Sequence, residues 1–108
     1  MSLISAHVLD AASGTPAAAV SVRLTDADGV TVAESLTDDD GRVGELGPDR
    51  LPPGVYQVAF GSGVYFAARR VDSFHPEVLV RFTVAADQAH YHIPLLLSPY
   101  SYTTYRGS

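Results

Sequence analysis

The feature that most constrains this chain is a two-residue alternation of apolar and polar side chains, repeated in short runs and cut each time by turn residues. "VSVRLTD" (20–26) shows it most cleanly, and "HYHIPLLLS" (90–98) carries it over the longest stretch. Side chains of a strand point alternately to opposite faces, so this period fits a pleated strand with one buried face and cannot be satisfied by a helix. Further strands are expected at 3–10, 30–36, 55–61, 76–84 and 101–106, with "RVGEL" (42–46) as a short edge strand. "AASGTPAA", "TDDDGR" and "PDRLPPG" separate them as loops, their glycines and prolines supplying turn conformations. Only "VYFAARRVDSF" (64–74) breaks the pattern; Tyr65, Ala68 and Asp72 share a helical face there, which predicts one short helix. Seven or eight short strands and one helix make the fold class all-β, a sandwich, within a single domain spanning 1–108.

Composition narrows the function classes. The net charge of −5 argues against nucleic acid and anionic membrane surfaces, which require clustered Lys and Arg. With no cysteine, disulfides, thiolate metal sites and cysteine nucleophiles are excluded. The sequence holds no apolar run long enough to span a bilayer, and "MSLISAHVLD" does not read as a signal peptide, so a cytoplasmic protein is the expectation.

Strand direction locates the polar chemistry. Ile4, Ala6 and Val8 form one face of the first strand, and Leu3, Ser5 and His7 the other. In 90–98, Tyr91, Ile93, Leu95 and Leu97 oppose His90, His92, Pro94, Leu96 and Ser98. His7 and His92 therefore both lie on the non-core side, and the apolar Leu3, Pro94 and Leu96 beside them point to a subunit contact there. Histidine is the usual general base near neutral pH. His90 and His92 form His-x-His, a spacing that with His7 also allows a zinc site, although the motif alone is weak. His75 has no partner in sequence and receives no role. Arg42, after the Asp-Gly turn, is either a solvated partner of Asp38, Asp39 or Asp40 or a rigid fork for carbonyl or anionic oxygens; Arg106 carries the same ambiguity.

"AHVLD" with "SGTPA", "TDDDGRV", "PGVYQVAF", "YFAA", "SFHPEV" and "HYHIPLLLSPYSYTTYRGS" follow one another over nearly the whole chain. Together they resemble the 5-hydroxyisourate hydrolases of the transthyretin-related family. The ending "YRGS" is the most specific, because hormone-carrying transthyretins lack it. The resemblance implies a transthyretin (prealbumin)-like sandwich of two four-stranded sheets with one short helix. It implies a homotetramer, a dimer of dimers around a central channel, with sites at the subunit interface. The reaction would be hydrolysis of 5-hydroxyisourate to 2-oxo-4-hydroxy-4-carboxy-5-ureidoimidazoline in urate breakdown, without metal or organic cofactor. Carried over by position, the catalytic residues would be His7, Arg42, His92 and Ser108. Substrate would be bound by His7, Arg42 and the terminal Tyr105, Arg106, Gly107 and Ser108. A chain end inside a pocket would make a C-terminal extension harmful to activity. His75 departs from the pattern, since an aromatic is expected in its place. The competing readings are a carrier of small aromatic ligands and the zinc hydrolase built on His7, His90 and His92.

Overall fold

The computed structural model describes residues 1–87 and 89–108. Its strands, in chain order, are β1 (Ile4–Asp10), β2 (Thr15–Pro16), β3 (Ser21–Thr25), β4 (Thr31–Leu36), β5 (Arg42–Val43), β6 (Gly54–Phe60), β7 (Val78–Val84), β8 (Tyr91–Leu97) and β9 (Tyr102–Thr104). One helix, α1 (Ser62–Ala68), lies between β6 and β7. None of this is long and apolar enough as a helix to cross a membrane among the described residues.

The strands form two sheets. One runs β4-β3-β6-β7; the other runs β2-β1-β8-β9, with β5 also paired to β1. β2 pairs with Leu9 and Asp10 and β5 with Ala6 and His7, so these two-residue strands share one edge of β1 and the sheet is four strands wide. β1 and β8 are parallel and all other pairs antiparallel. The alternation read from the sequence is what fills the space between the sheets. Ile4, Ala6 and Val8 from β1 and Ile93, Leu95 and Leu97 from β8 are buried against Val22, Leu24, Val58 and Phe60 of the facing sheet. Fully burying one such side chain contributes about 1.5–3 kcal/mol, so this interior holds the sheets together.

The helix differs from its expected extent. It begins at Ser62, earlier than 64, and stops at Ala68, because Arg70 takes a left-handed conformation (φ 59°). The N–H groups of Arg69 and Arg70 tighten the last turn onto the carbonyls of Phe66 and Ala67. Asp72 is thus outside the helix. "AASGTPAA" contains β2, and "RVGEL" contributes only two strand residues.

The outward face of β1 and β8 also needs correction. Leu3 lies just before β1 and is 6% exposed, packed in the core; its N–H donates to Pro48 and its carbonyl accepts from Tyr91. The 45–51 segment, with Leu46 and Leu51 buried, covers it. Pro94 is likewise buried, under the C-terminal tail. Both were expected to meet another subunit; within one chain they are already covered, and Leu96 alone of the three is half-exposed.

Candidate active site

Register assembles the site. The parallel pairing of β1 with β8 sets Ser5 opposite His92 and His7 opposite Pro94. The antiparallel pairing of β5 with β1 sets Arg42 opposite His7. Residues directly opposite share a sheet face. Ser5, His7, Arg42 and His92 therefore stand side by side on the face turned away from the core.

Arg42 is placed by the turn before it. The Asp38 carboxylate accepts the N–H groups of Asp40 and Arg42, each at 2.9 Å, and Gly41 donates to the Asp38 carbonyl. Gly41 adopts φ +76°, and a β-carbon there would collide with the Val8 carbonyl oxygen. Only glycine fits both constraints. That same carbonyl neighbourhood ties the turn to β1, since Val8 donates to Gly41 at 2.7 Å. The His7 ring reaches back to this turn, with Nε2 2.9 Å from the Asp40 carbonyl oxygen. A carbonyl only accepts, so Nε2–H is the donor and Nδ1 is the nitrogen left for chemistry.

The tail runs antiparallel along β8. Leu95, Leu96 and Leu97 pair with Thr104, Thr103 and Tyr102, and Thr104 Oγ1 donates to the Pro94 carbonyl at 2.8 Å. Tyr105 and Arg106 then leave the strand, and Gly107 returns to bridge His92. Ser108 is thereby delivered to a cleft of about 260 Å³ that it lines with Ser5, Arg42, Gly44, His90 and His92. The His7 ring stands beside it, 6.5 Å from the His92 ring centre to centre. Burial first, then the charges of Arg42, His7 and His90, holds His92 below the ordinary histidine value.

The sequence-predicted residues thus separate into two groups. Arg42, His92 and Ser108 line one cleft with His7 adjacent, and Gly107 packs on His92. Tyr105 and Arg106 line a second cavity of about 340 Å³ with Arg81, Phe82 and Tyr91, where the Arg106 guanidinium lies 4.4 Å over the Tyr91 ring. His75 is edge-on to both Phe74 and Tyr102, with ring centres 5.0 Å apart in each pair, so its imidazole packs there as a ring. Two features were not read from the sequence as functional. Ser5 Oγ contacts both His90 Nε2 (2.8 Å) and His92 Nδ1 (2.7 Å), which its place two residues before His7 on the same strand face foreshadows. The Asp40 carbonyl partner of His7 had no sequence signal, because it depends on the path of the turn.

No group of three or more His, Cys, Asp or Glu side chains is placed to hold a metal ion among the described residues. A larger cavity, about 570 Å³, lies on the other sheet near Arg23, Glu34, Leu36 and Val64. It contains no histidine and no residue of the convergent cluster, so its size does not make it the site of chemistry.

Known proteins share this arrangement of elements. The model of the HIUase/Transthyretin family matches residues 4–107. A 5-hydroxyisourate hydrolase of Salmonella dublin is 43% identical over 110 residues, covering 98% of this chain and 81% of that protein. Among solved structures, the Klebsiella pneumoniae 5-hydroxyisourate hydrolase superposes with a TM-score of 0.89 at 34% identity, covering 97% of this chain and 92% of that one. Transthyretin from Sparus aurata superposes with a TM-score of 0.91, also at 34% identity, covering 99% and 97%. Fold likeness alone is therefore shared equally by a hydrolase and a transthyretin. The family match spans nearly the whole chain, and the fold is the two-sheet transthyretin-like sandwich with its single helix: the chain belongs to the HIUase/transthyretin family.

Proposed function

We propose that the protein is a hydrolase that opens 5-hydroxyisourate to 2-oxo-4-hydroxy-4-carboxy-5-ureidoimidazoline, a step of urate breakdown. The observation that carries this reading is the cleft in which Arg42, His92 and Ser108 converge beside His7. Relatives named 5-hydroxyisourate hydrolase, matched over 97–100% of this chain, support it. The reading takes residues 1–108 as one domain working in the cytoplasm, in a dimer of dimers whose sites are completed at subunit contacts.

The chemistry follows from the groups present. Water adds to a ring carbonyl carbon, the carbonyl oxygen becomes an oxyanion, the C–N bond breaks, and the leaving nitrogen takes a proton. His92, whose surroundings disfavour its charged form, and His7, whose Nε2 donates to Asp40 and leaves Nδ1 as the acceptor, are the two groups that exchange these protons. Positioned acid–base catalysis of this kind gives about 10²–10⁴-fold. Arg42 binds substrate oxygens and faces the developing negative charge with a fork that never loses its own. Ser108 orients water or substrate with its hydroxyl, and Gly107 holds it there. Tyr105 and Arg106 shape the tail that carries both. Neither a metal nor an organic cofactor enters this scheme.

The two rival readings are less well supported. A carrier of small aromatic ligands needs an apolar lining, whereas this cleft presents Arg42, His90 and His92. A zinc hydrolase needs His7, His90 and His92 to converge on one point, whereas among the described residues no three such side chains are placed to hold a metal ion together. The direct test is decay of freshly generated 5-hydroxyisourate, with spontaneous decay subtracted, for the wild type and for His7→Ala, Arg42→Ala and His92→Ala. The wild type should accelerate decay and each variant should lose most of that acceleration. Wild-type turnover in all three would refute the assignment.

A further inference from the structure

Ser5 and His90 have no part in the scheme above, yet they make the tightest polar cluster beside it. Ser5 is buried at 8% exposure, and its hydroxyl lies between two imidazoles, 2.8 Å from His90 Nε2 and 2.7 Å from His92 Nδ1. The geometry imposes a bookkeeping rule. A serine hydroxyl has one hydrogen and two lone pairs, so it cannot donate to both rings; its two close contacts among the described residues are these rings, so it donates to one and accepts from the other. The two rings therefore cannot choose their tautomers separately. If His92 carries its hydrogen on Nδ1, Ser5 donates to His90 Nε2; if His90 carries its hydrogen on Nε2, Ser5 donates to His92 Nδ1.

We infer that Ser5 is a positioning residue that locks His90 and His92 into one proton-sharing unit, through which His92 exchanges the proton it takes from water with solvent at His90. The inference rests on the hydrolase reading for its catalytic meaning. In the first arrangement His92 Nε2 is unprotonated and faces the reaction as a base. When Nε2 accepts a proton from the attacking water, Nδ1–H passes its proton to Ser5 Oγ, and Ser5 passes its own to His90 Nε2. His90, which is exposed, releases its Nδ1 proton to solvent. Each nitrogen and oxygen ends with its normal valence, and His92 now carries Nε2–H. It is then an acid, able to protonate the leaving nitrogen, and the reverse shift through Ser5 restores the starting state with one proton taken back at His90. Base and acid are thus one ring whose state is set by a hydroxyl behind it.

The groups facing this unit are His7 from β1, Arg42 from β5, and Gly107 and Ser108 from the tail. The positive charges among them disfavour a second proton on His92, which favours passing it outward.

The test compares Ser5→Ala, Ser5→Thr and His90→Gln in the full chain. Ser5→Ala should lower kcat by about 10–100-fold with little change in KM, the size expected when a positioned base loses its orientation. Ser5→Thr, which keeps the hydroxyl, should restore most of it. His90→Gln keeps an acceptor for Ser5 but cannot take a proton, and should lower kcat and distort the pH profile. Nitrogen-15 spectra of the histidine rings should show defined tautomers for His90 and His92 in the wild type and a mixture for His92 in Ser5→Ala. Wild-type kcat in Ser5→Ala or in His90→Gln overturns the inference, as does an unchanged His92 tautomer in Ser5→Ala. The ring spectra do not depend on turnover, so a wild type without hydrolase activity but with coupled tautomers would refute the functional reading and leave the coupling in place.

Discussion

Gly107 donates its N–H to the His92 carbonyl at 2.9 Å, and a β-carbon built on Gly107 would point at the His92 ring, 2.5 Å from Cδ2 and 3.1 Å from Cγ. The tail thus returns to the sheet directly beside the His92 ring, and it does so with no side chain of its own. The same β-carbon would come within 3.1 Å of Pro94 Cγ, so it would press on two side chains of β8 at once.

Gly107→Ala should therefore act on His92 more than on the fold. Gly107 is only half-buried near the end of the chain, so its replacement removes no core contact. The ring must turn or the tail must lift, and misplacing a catalytic group by about 1 Å costs up to 10²-fold. The expected outcome is a kcat/KM lower by about 10–100-fold with a nearly unchanged melting temperature. Wild-type turnover, or a large loss of thermal stability in place of activity, would show that the tail does not position His92 in this way.

His92 should titrate below the ordinary histidine value of 6.5, because burial disfavours its charged form and Arg42, His7 and His90 add like charge. A ring-resonance titration checks this. Arg42→Gln removes the largest of these charges, which ranks after burial, so the midpoint should rise while staying below the ordinary value, since burial remains. The sign of the stability effect follows. The unfolded chain binds a proton at His92 at a higher pH than the folded chain does, so stability falls as pH drops from about 6.5 toward the folded midpoint. A midpoint at or above the ordinary value would contradict the environment described for this ring.

The sandwich was legible because its interior depends on alternation, which each strand carries locally: Ile4, Ala6 and Val8 face inward as their spacing requires. The outward placing of His7 and His92 followed from the same rule. Leu3 departs from this because alternation says which way a side chain points and not what later folds beside it; the Pro48 carbonyl accepts the Leu3 N–H and brings the loop after β5 against it. The helix end was misjudged because "FAARR" suits a helix by composition, whereas the left-handed turn at Arg70 is set by where the chain must go next. Arg42 stands out by its place after the Asp-Gly turn and His92 by alternation, whereas their catalytic roles, and Ser108 altogether, come from the family resemblance residue by residue. The Ser5 bridge depends on the parallel β1–β8 register, a pairing across more than eighty residues that no local pattern encodes.

A last relationship lies away from the cleft and tests the fold itself. Tyr65 of α1 donates its hydroxyl to Asp10 Oδ2 at 2.8 Å, while Oδ1 accepts the N–H groups of Ala12 and Ser13. Burial alone would raise the Asp10 carboxyl, but these donors, from Ser13, Tyr65 and Ala12, hold it below its ordinary value of 3.8. Burial, then the hydrogen bond to Asp10 and its charge, pushes Tyr65 up to about 12. Tyr65→Phe keeps the ring in the core and removes one donor to a buried carboxylate, a loss of about 1–3 kcal/mol. A group whose folded value is depressed contributes stability above its ordinary value and loses it as pH falls through the folded one. The gap between wild type and Tyr65→Phe should therefore be widest near neutral pH and narrow as Asp10 becomes protonated. Urea unfolding at stepwise lower pH measures it. A gap that stays constant across that range would mean that the hydroxyl stabilises the fold without its carboxylate partner.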